Sequence, residues 1–195
     1  MSTPLAAALR DYLVRYQQMA IRETGHRPEA WLRTPADDAL LLPGCNRPGY
    51  AFWQPVAWKN NKAPLGKAAE GFHTSIVEYL SMCQFLEIRF QLPVAHAGSP
   101  LSFLHGRTFE CCRNTETNPP ERMFEEAAMY RREHPDWPLS YCMAVTCDDG
   151  EPLLLMLRAD NGEACVMRTM TEAKPVELKL GLERLLPKVR FIYDI

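Results

Sequence analysis

The sequence lacks any run of about 18 or more apolar residues, the length a membrane-spanning helix requires. Its start, "MSTPLAAALRDYLVRY", carries Arg10 and Asp11 where a secretory leader needs an unbroken apolar stretch, so a cytoplasmic location is expected. It has no CxxC and no paired cysteine spacing of the zinc-site type. The seven cysteines, Cys45, Cys83, Cys111, Cys112, Cys142, Cys147 and Cys165, are odd in number and are expected to be reduced thiols in a reducing compartment. Charge of one sign is also missing: 22 Lys and Arg stand against 24 Asp and Glu, a formal net of −2 that excludes a generally basic nucleic-acid binder. Internal repeats and low-complexity segments are absent, and "GCNRPG" is no phosphate loop, since no lysine or serine follows it in a helix-opening context.

Convergent titratable residues are equally scarce. None of His26, His73, His96, His105 and His134 stands at HxxxH or HExxH spacing, so no metal site is expected. Cys111 and Cys112, with His105 near them in sequence, come closest to a nucleophile and its base, but no strand-to-helix elbow surrounds them. The acid pairs Asp37–Asp38, Glu125–Glu126 and Asp148–Asp149 read as turn and helix-surface residues. No catalytic residue and no cofactor is therefore expected, and a binding protein is favoured over an enzyme.

What is present is a 195-residue chain with 47% hydrophobic residues, enough for one substantial core and read as a single domain over 1–195. Thr3 and Pro4 open a helix in which Leu5, Leu9, Tyr12, Leu13, Tyr16 and Ala20 recur at helical spacing until Gly25. From Gly25 to Gly49 the chain reads as a long surface connection anchored by Trp31, Leu40, Leu41 and Leu42. A second helix is expected from Pro64 to Cys83 through Leu65, Ala69, Phe72, Ile76 and Leu80. In "FLEIRFQL", Leu86, Ile88, Phe90 and Leu92 alternate with Glu87, Arg89 and Gln91, a strand with one wet face, and "AHAGSP" is expected to turn it into a hairpin with "LSFLHGRTF". A helix follows over Pro120 to Glu133.

"YCMAVT", "PLLLML" and "EACVMR", separated by Asp-Gly and Asn-Gly turns, predict an antiparallel three-strand meander. Val176 to Leu186 reads as a last helix stopped by Pro187, with "KVRFIYDI" as a docked tail or edge strand. The fold class is thus α+β: a mostly antiparallel or mixed sheet with a C-terminal three-strand meander, packed against several amphipathic helices.

The stretch "YAFWQPVAW", Tyr50 to Trp58, concentrates aromatic surface beside a proline. Alternation puts Tyr50 and Phe52 on one side and Trp53 on the other, so Trp53 either lines a groove or fills core, and the burial tendency of large aromatics favours core. The "FWQP" at Phe52 to Pro55, the helix ending in "CQF" at Cys83 to Phe85, and "LRADNGEAC" at Leu157 to Cys165 resemble the Syd family. So do "HPDWPLSYCMAV" and "ELKLGLERLLPK". The resemblance runs from Leu5 to about Lys188, while "GCNRPG", "AHAGSP" and the closing "FIYDI" depart from the pattern.

Syd proteins are bacterial cytoplasmic SecY-interacting proteins related to the wider SUKH superfamily. The resemblance implies an α+β protein that binds the cytosolic loops of the SecYEG translocon through a concave acidic face and monitors that complex, any membrane contact being indirect through the partner. Exposed ion pairs contribute only about 0.2–1 kcal/mol each, so several carboxylates must act together. The candidates are Glu70 and Glu78 on the second helix, Glu87 on the following strand, Asp37 and Asp38 in the connection, and Trp53 if it lines a groove. Arg107, Arg113, Arg131 and Arg132 are expected on another side. The SUKH kinship implies an alternative, an immunity protein that binds and neutralises a toxin. A cysteine-dependent enzyme around Cys112 and His105 is the third reading.

Overall fold

The structure, a computed structural model, describes residues 3–32, 38–92, 101–169 and 174–193. The first helix forms where its signals stand. Helix α1 spans Pro4–Thr24: Thr3 Oγ accepts the Ala6 amide at 3.0 Å, Pro4 occupies the first turn, and Gly25 closes the helix with φ 79°. The whole apolar stripe from Leu5 to Ala20 is buried.

The expected surface connection after Gly25 is partly a small sheet. Strands β1 (Glu29–Trp31) and β2 (Leu41–Leu42) flank β3 (Tyr50–Trp53) on either side, both antiparallel to it. Two- and three-residue strands are too short to display a period of two, yet backbone groups beside a buried strand need partners, and β3 supplies them. Ala30 and Leu40 are buried by this pairing, whereas Trp31 remains 44% exposed.

The expected second helix divides. A 3-10 helix over Lys67–Gly71 ends at an extended Phe72, and α2 (Thr74–Met82) starts afresh, capped by His73 Nδ1 accepting the Ser75 amide at 3.3 Å. Ala69, Phe72, Ile76 and Leu80 of the expected stripe are nevertheless buried, Tyr79 with them, while Leu65 and Cys83 at its two ends are half-buried, so the apolar spacing survives the break.

Strand β4 (Arg89–Gln91) is shorter than "FLEIRFQL" suggested, and it pairs antiparallel with β5 (Thr108–Cys111). The "AHAGSP" turn lies outside the described residues. Helix α3 spans Pro120–Glu133 as expected, and β6 (Ser140–Thr146), β7 (Leu153–Arg158) and β8 (Glu163–Arg168) form the meander. The turn glycine Gly162 has φ 71°, and a Cβ placed there would collide with Ser75 Oγ and the His73 ring, because this hairpin packs against the cap of α2.

The last expected helix is mostly a strand. Residues Val176–Gly181 form β9 on the edge of β8, and only Leu182–Leu185 is α-helical (α4), with Pro187 inside a following 3-10 turn. Leu178, Leu182 and Leu185 fit a helical stripe, but Leu178 and Leu180 also alternate with exposed Glu177 and Lys179, and the unpaired edge of β8 decides between the two periods. Lys179, at φ 54°, sits where the β8–β9 register shifts. Finally β10 (Arg190–Phe191) pairs with β4, as an edge strand should.

The large sheet is antiparallel with order β10-β4-β5-β6-β7-β8-β9, giving the α+β class. Its inner face, with Phe90, Phe109, Leu155, Leu157 and Val166, meets Leu9, Tyr12, Ile76, Tyr79 and Leu182 in the main core. Each such fully buried side chain contributes about 1.5–3 kcal/mol. Across the sheet, Met156, Cys165 and Met167 gather under Tyr130 of α3 and Trp137. Among the described residues no helix is long and apolar enough to cross a membrane.

Candidate functional site

The outer face of β4 and β5 is open. Because Ile88, Phe90, Phe109 and Cys111 face the core, Arg89 and Glu110 between them point outward. They are cross-strand partners, with Arg89 Nε donating to Glu110 Oε2 at 2.8 Å. Around this pair runs a cleft. One end, a cavity of about 270 Å³, lies between the small sheet and β4–β5 and is lined by Tyr16, Glu29, Trp31, Arg47, Tyr50 and Tyr193. The other, an open trough of about 880 Å³, continues over β5 and β6 towards Arg122 of α3. Glu87, Arg89 and Glu110 line both parts.

Glu87 Oε1 accepts Arg113 Nε at 2.9 Å and Nη2 at 2.6 Å, and the same Nη2 donates to the Trp31 carbonyl at 2.6 Å. Arg113 thereby ties the small sheet to the large one. At the narrow end, Glu29 faces Arg47 Nη1 at 3.4 Å and His26 Nε2 at 3.6 Å, and its amide donates to Tyr193 Oη at 2.7 Å. The Arg47 guanidinium lies 3.9 Å from the Tyr50 ring centre, and the Trp31 ring stacks with that of Tyr50 at 6.4 Å and 15°. Burial pushes the Tyr16 phenol well up, so its hydroxyl stays a donor, 3.5 Å from the Glu87 carbonyl.

The cleft is charged but not acidic. Glu29, Glu87 and Glu110 each hold an arginine, and Arg122 is paired with Glu126. Paired charges present dipoles, whose field falls off faster than that of an uncompensated carboxylate, so long-range attraction is weaker than a concave acidic face would give.

The sequence-derived candidates are scattered over the molecule. Only Glu87 lines the cleft. Glu78 on α2 accepts a hydrogen bond from the Thr3 hydroxyl at the start of α1, and Glu70 is exposed on the 3-10 helix. Helix and strand do not share a face because the chain between them is pinned twice, Gln84 to Val56 and Phe85 to Asn114. Asp37 lies outside the described residues, and for Asp38 only the backbone is described, at the start of a 3-10 turn. Trp53 is fully buried, with its ring 6.0 Å from Tyr16, so it fills core and offers no groove surface. Arg113, expected on another side, is in the cleft; Arg107 is elsewhere, bound to Asp148 at 2.8 Å.

The cysteine reading separates as well. Cys111 is buried between Tyr12 Oη at 3.4 Å and Tyr79 Oη at 3.9 Å, and burial pushes its thiol up to about 12, the opposite of a nucleophile. Cys112 lines the trough, while exposed His105 lies outside its lining at the end of the turn Ser102–Leu104. Among the described residues no group of three His, Cys, Asp or Glu stands close enough to hold a metal ion.

Glu29, Trp31, Arg47, Tyr50, Glu110 and Arg113 are the cleft residues that sequence reasoning missed as site residues. The wet face of "FLEIRFQL" located Glu87 and Arg89, and extending its hairpin register by one strand reaches Glu110. The rest come from short strands and a loop that only pairing brings near. A scan against models of known protein families gives no match, and a search of curated proteins gives none either.

Proposed function

We propose that this chain is a non-enzymatic, cofactor-free binding protein of the Syd kind, which sits in the bacterial cytoplasm and engages a basic cytosolic loop of SecY in the SecYEG translocon. The observation that carries the reading is the cradle at the narrow end of the cleft. Glu29 and the Tyr50 face already hold a guanidinium, that of Arg47, with Trp31 completing an aromatic rim. Arg47 is about half exposed on its loop, and a loop arginine of the partner makes the same two contacts when Arg47 swings aside. Recognition then proceeds by exchange of one guanidinium for another, with Glu87 and Glu110 contacting further basic residues along the trough. Association with the membrane follows from the partner alone.

The test is binding of the purified protein to SecYEG in nanodiscs at low and high salt, with an unrelated membrane protein as control. Saturable binding is expected, with a shallow salt dependence because the cleft charges are already paired. Glu29→Gln should weaken it about tenfold, the loss of a hydrogen bond to a charged group. Absence of binding at micromolar concentration would sink SecY as the partner and direct the search to a toxin.

A further inference from the structure

Two cysteines from neighbouring strands meet in the wall between the trough and α3. At the end of β5, the Cys112 amide donates to the Met143 carbonyl of β6 at 2.9 Å. Strand β6 is irregular at this point: its pairing with β7 slips between Cys142 and Ala144. Met143 and Ala144, consecutive residues, both face the main core, so the alternation restarts and Cys142 emerges on the outer face instead of the inner one. There it lines, together with Cys112, a largely apolar cavity of about 220 Å³ under Met123, Ala127 and Tyr130. Cys112 alone of the two also lines the open trough.

We infer that Cys112 and Cys142 are a reversible redox pair, which hydrogen peroxide entering through the trough converts into a cross-strand disulfide. The β5–β6 register runs from Cys111 opposite Ala144 to Cys112 opposite Met143, and the slip at 142–144 brings Cys142, the next residue, onto the same outer face and the wall of the same cavity. A disulfide needs Cβ atoms about 3.5–4.5 Å apart, and a bulge, where the ladder is already interrupted, is where a strand shifts most readily to reach that.

The two thiols have different roles. The Cys142 thiol donates to the Ala144 carbonyl at 3.7 Å, inside the bulge, and burial in the wall pushes it up. Cys112, the one of the two that lines the open trough, is the sulfur a peroxide meets first and so the attacking one. Its thiolate attacks one peroxide oxygen, the O–O bond breaks, and hydroxide leaves as water once protonated, giving the Cys112 sulfenic acid. Cys142 then attacks that sulfur, the S–O bond breaks, and its thiol proton leaves with the departing oxygen as a second water. Two thiols are oxidised and one peroxide is reduced. A dithiol reductant restores both by exchange.

Arg113, which follows Cys112 directly, is the residue that joins Glu87 to the small sheet, so the disulfide forms one residue from a cleft contact. The inference requires nothing of the identity of the partner.

The experiment treats the purified full chain with increasing hydrogen peroxide, blocks the remaining thiols with iodoacetamide, and maps non-reduced peptides by mass spectrometry. The expected first product has lost two hydrogens, joins the Cys112 peptide to the Cys142 peptide, and regains both alkylation sites with dithiothreitol. In Cys142→Ser, Cys112 should stop at the sulfenic acid and be captured by dimedone, and Cys147→Ser, which removes the exposed thiol, should leave the disulfide unchanged. First oxidation at Cys147, or Cys112 remaining open to alkylation after treatment of the wild-type protein, would overturn the inference without recourse to any variant.

Discussion

Strands β4–β5 and β7–β8 belong to one sheet and bury the same kind of inner face, but their outer faces differ completely. Outward from β7 and β8 stand Leu154, Met156, Cys165 and Met167, roofed by Tyr130 and Trp137. Outward from β4 and β5 stand Arg89 and Glu110, which α3 does not cover. The backbone requires only that alternate residues face opposite ways; what lies above the second face determines whether that face becomes core or surface. Here α3 closes one half of the sheet and stops, and the other half is left as the floor of a cleft. Charge is retained where cover is missing, and the cleft lies at the boundary.

The contrast can be broken at the face both halves share. Phe109 is fully buried and stacks on Phe90 at 6.0 Å, so Phe109→Ala should lower unfolding free energy by about 3–5 kcal/mol in a denaturant titration, the largest effect expected. Under α3 the outer face is a second, smaller core, and Met156→Ala there should cost about 2 kcal/mol. An unchanged midpoint for Met156→Ala would mean that the roof of Tyr130 and Trp137 is not a packed layer and that the two halves differ less than described.

Legibility followed the strength of local signals. Thr3, Pro4 and Gly25 bound α1 because caps and a left-handed terminus are encoded in single residues. Asp149-Gly150 and Asn161-Gly162 marked the meander for the same reason. Segment 176–186 misled because its leucines satisfy a period of two and a helical period together, and only the open edge of β8, a tertiary fact, selects the strand. His73 split the second helix by capping through its ring, a role that its residue type does not announce. The cleft was half visible: the alternation of Glu87 and Arg89 showed a wet face, but Arg113 reaches Glu87 from beyond β5, and Trp31 and Tyr50 face each other only because the short strands β1 and β3 pair. Asn114 went unnoticed although its side chain donates to the Leu80 and Cys83 carbonyls at 3.0 and 2.8 Å and so ends α2.

A smaller effect tests the end of the sheet, where β5 and β6 are clamped by one carboxylate. Asp148 accepts Arg107 Nε at 2.8 Å and the Thr108 amide at 2.6 Å; burial works against its charge, but these donors prevail and hold the carboxyl below its ordinary value. A depressed carboxyl contributes stability in full above its unfolded value, near pH 4, and loses it as pH falls through the lower folded value. Asp148→Asn should therefore cost about 1.5 kcal/mol at neutral pH, and the difference from wild type should close as the pH is lowered below about 4. A difference that stays constant across that range would assign the cost to geometry instead of charge.

The smallest stability effect is expected on the open face itself. Glu110 and Arg89 form an ion pair whose side chains remain partly exposed, and such pairs contribute about 0.2–1 kcal/mol. Glu110→Gln should move the denaturation midpoint barely at all. Under the proposed recognition of a basic SecY loop its consequence is of another order, because it leaves Arg89 without its cross-strand partner in the floor shared by both parts of the cleft and turns a balanced surface into one that repels a basic segment. Loss of SecYEG binding with the stability of Glu110→Gln unchanged would separate the open half of the sheet from the covered half by function as well as by structure. Equal loss of both would make Arg89–Glu110 a structural clamp like Asp148, and the distinction between floor and core would fall.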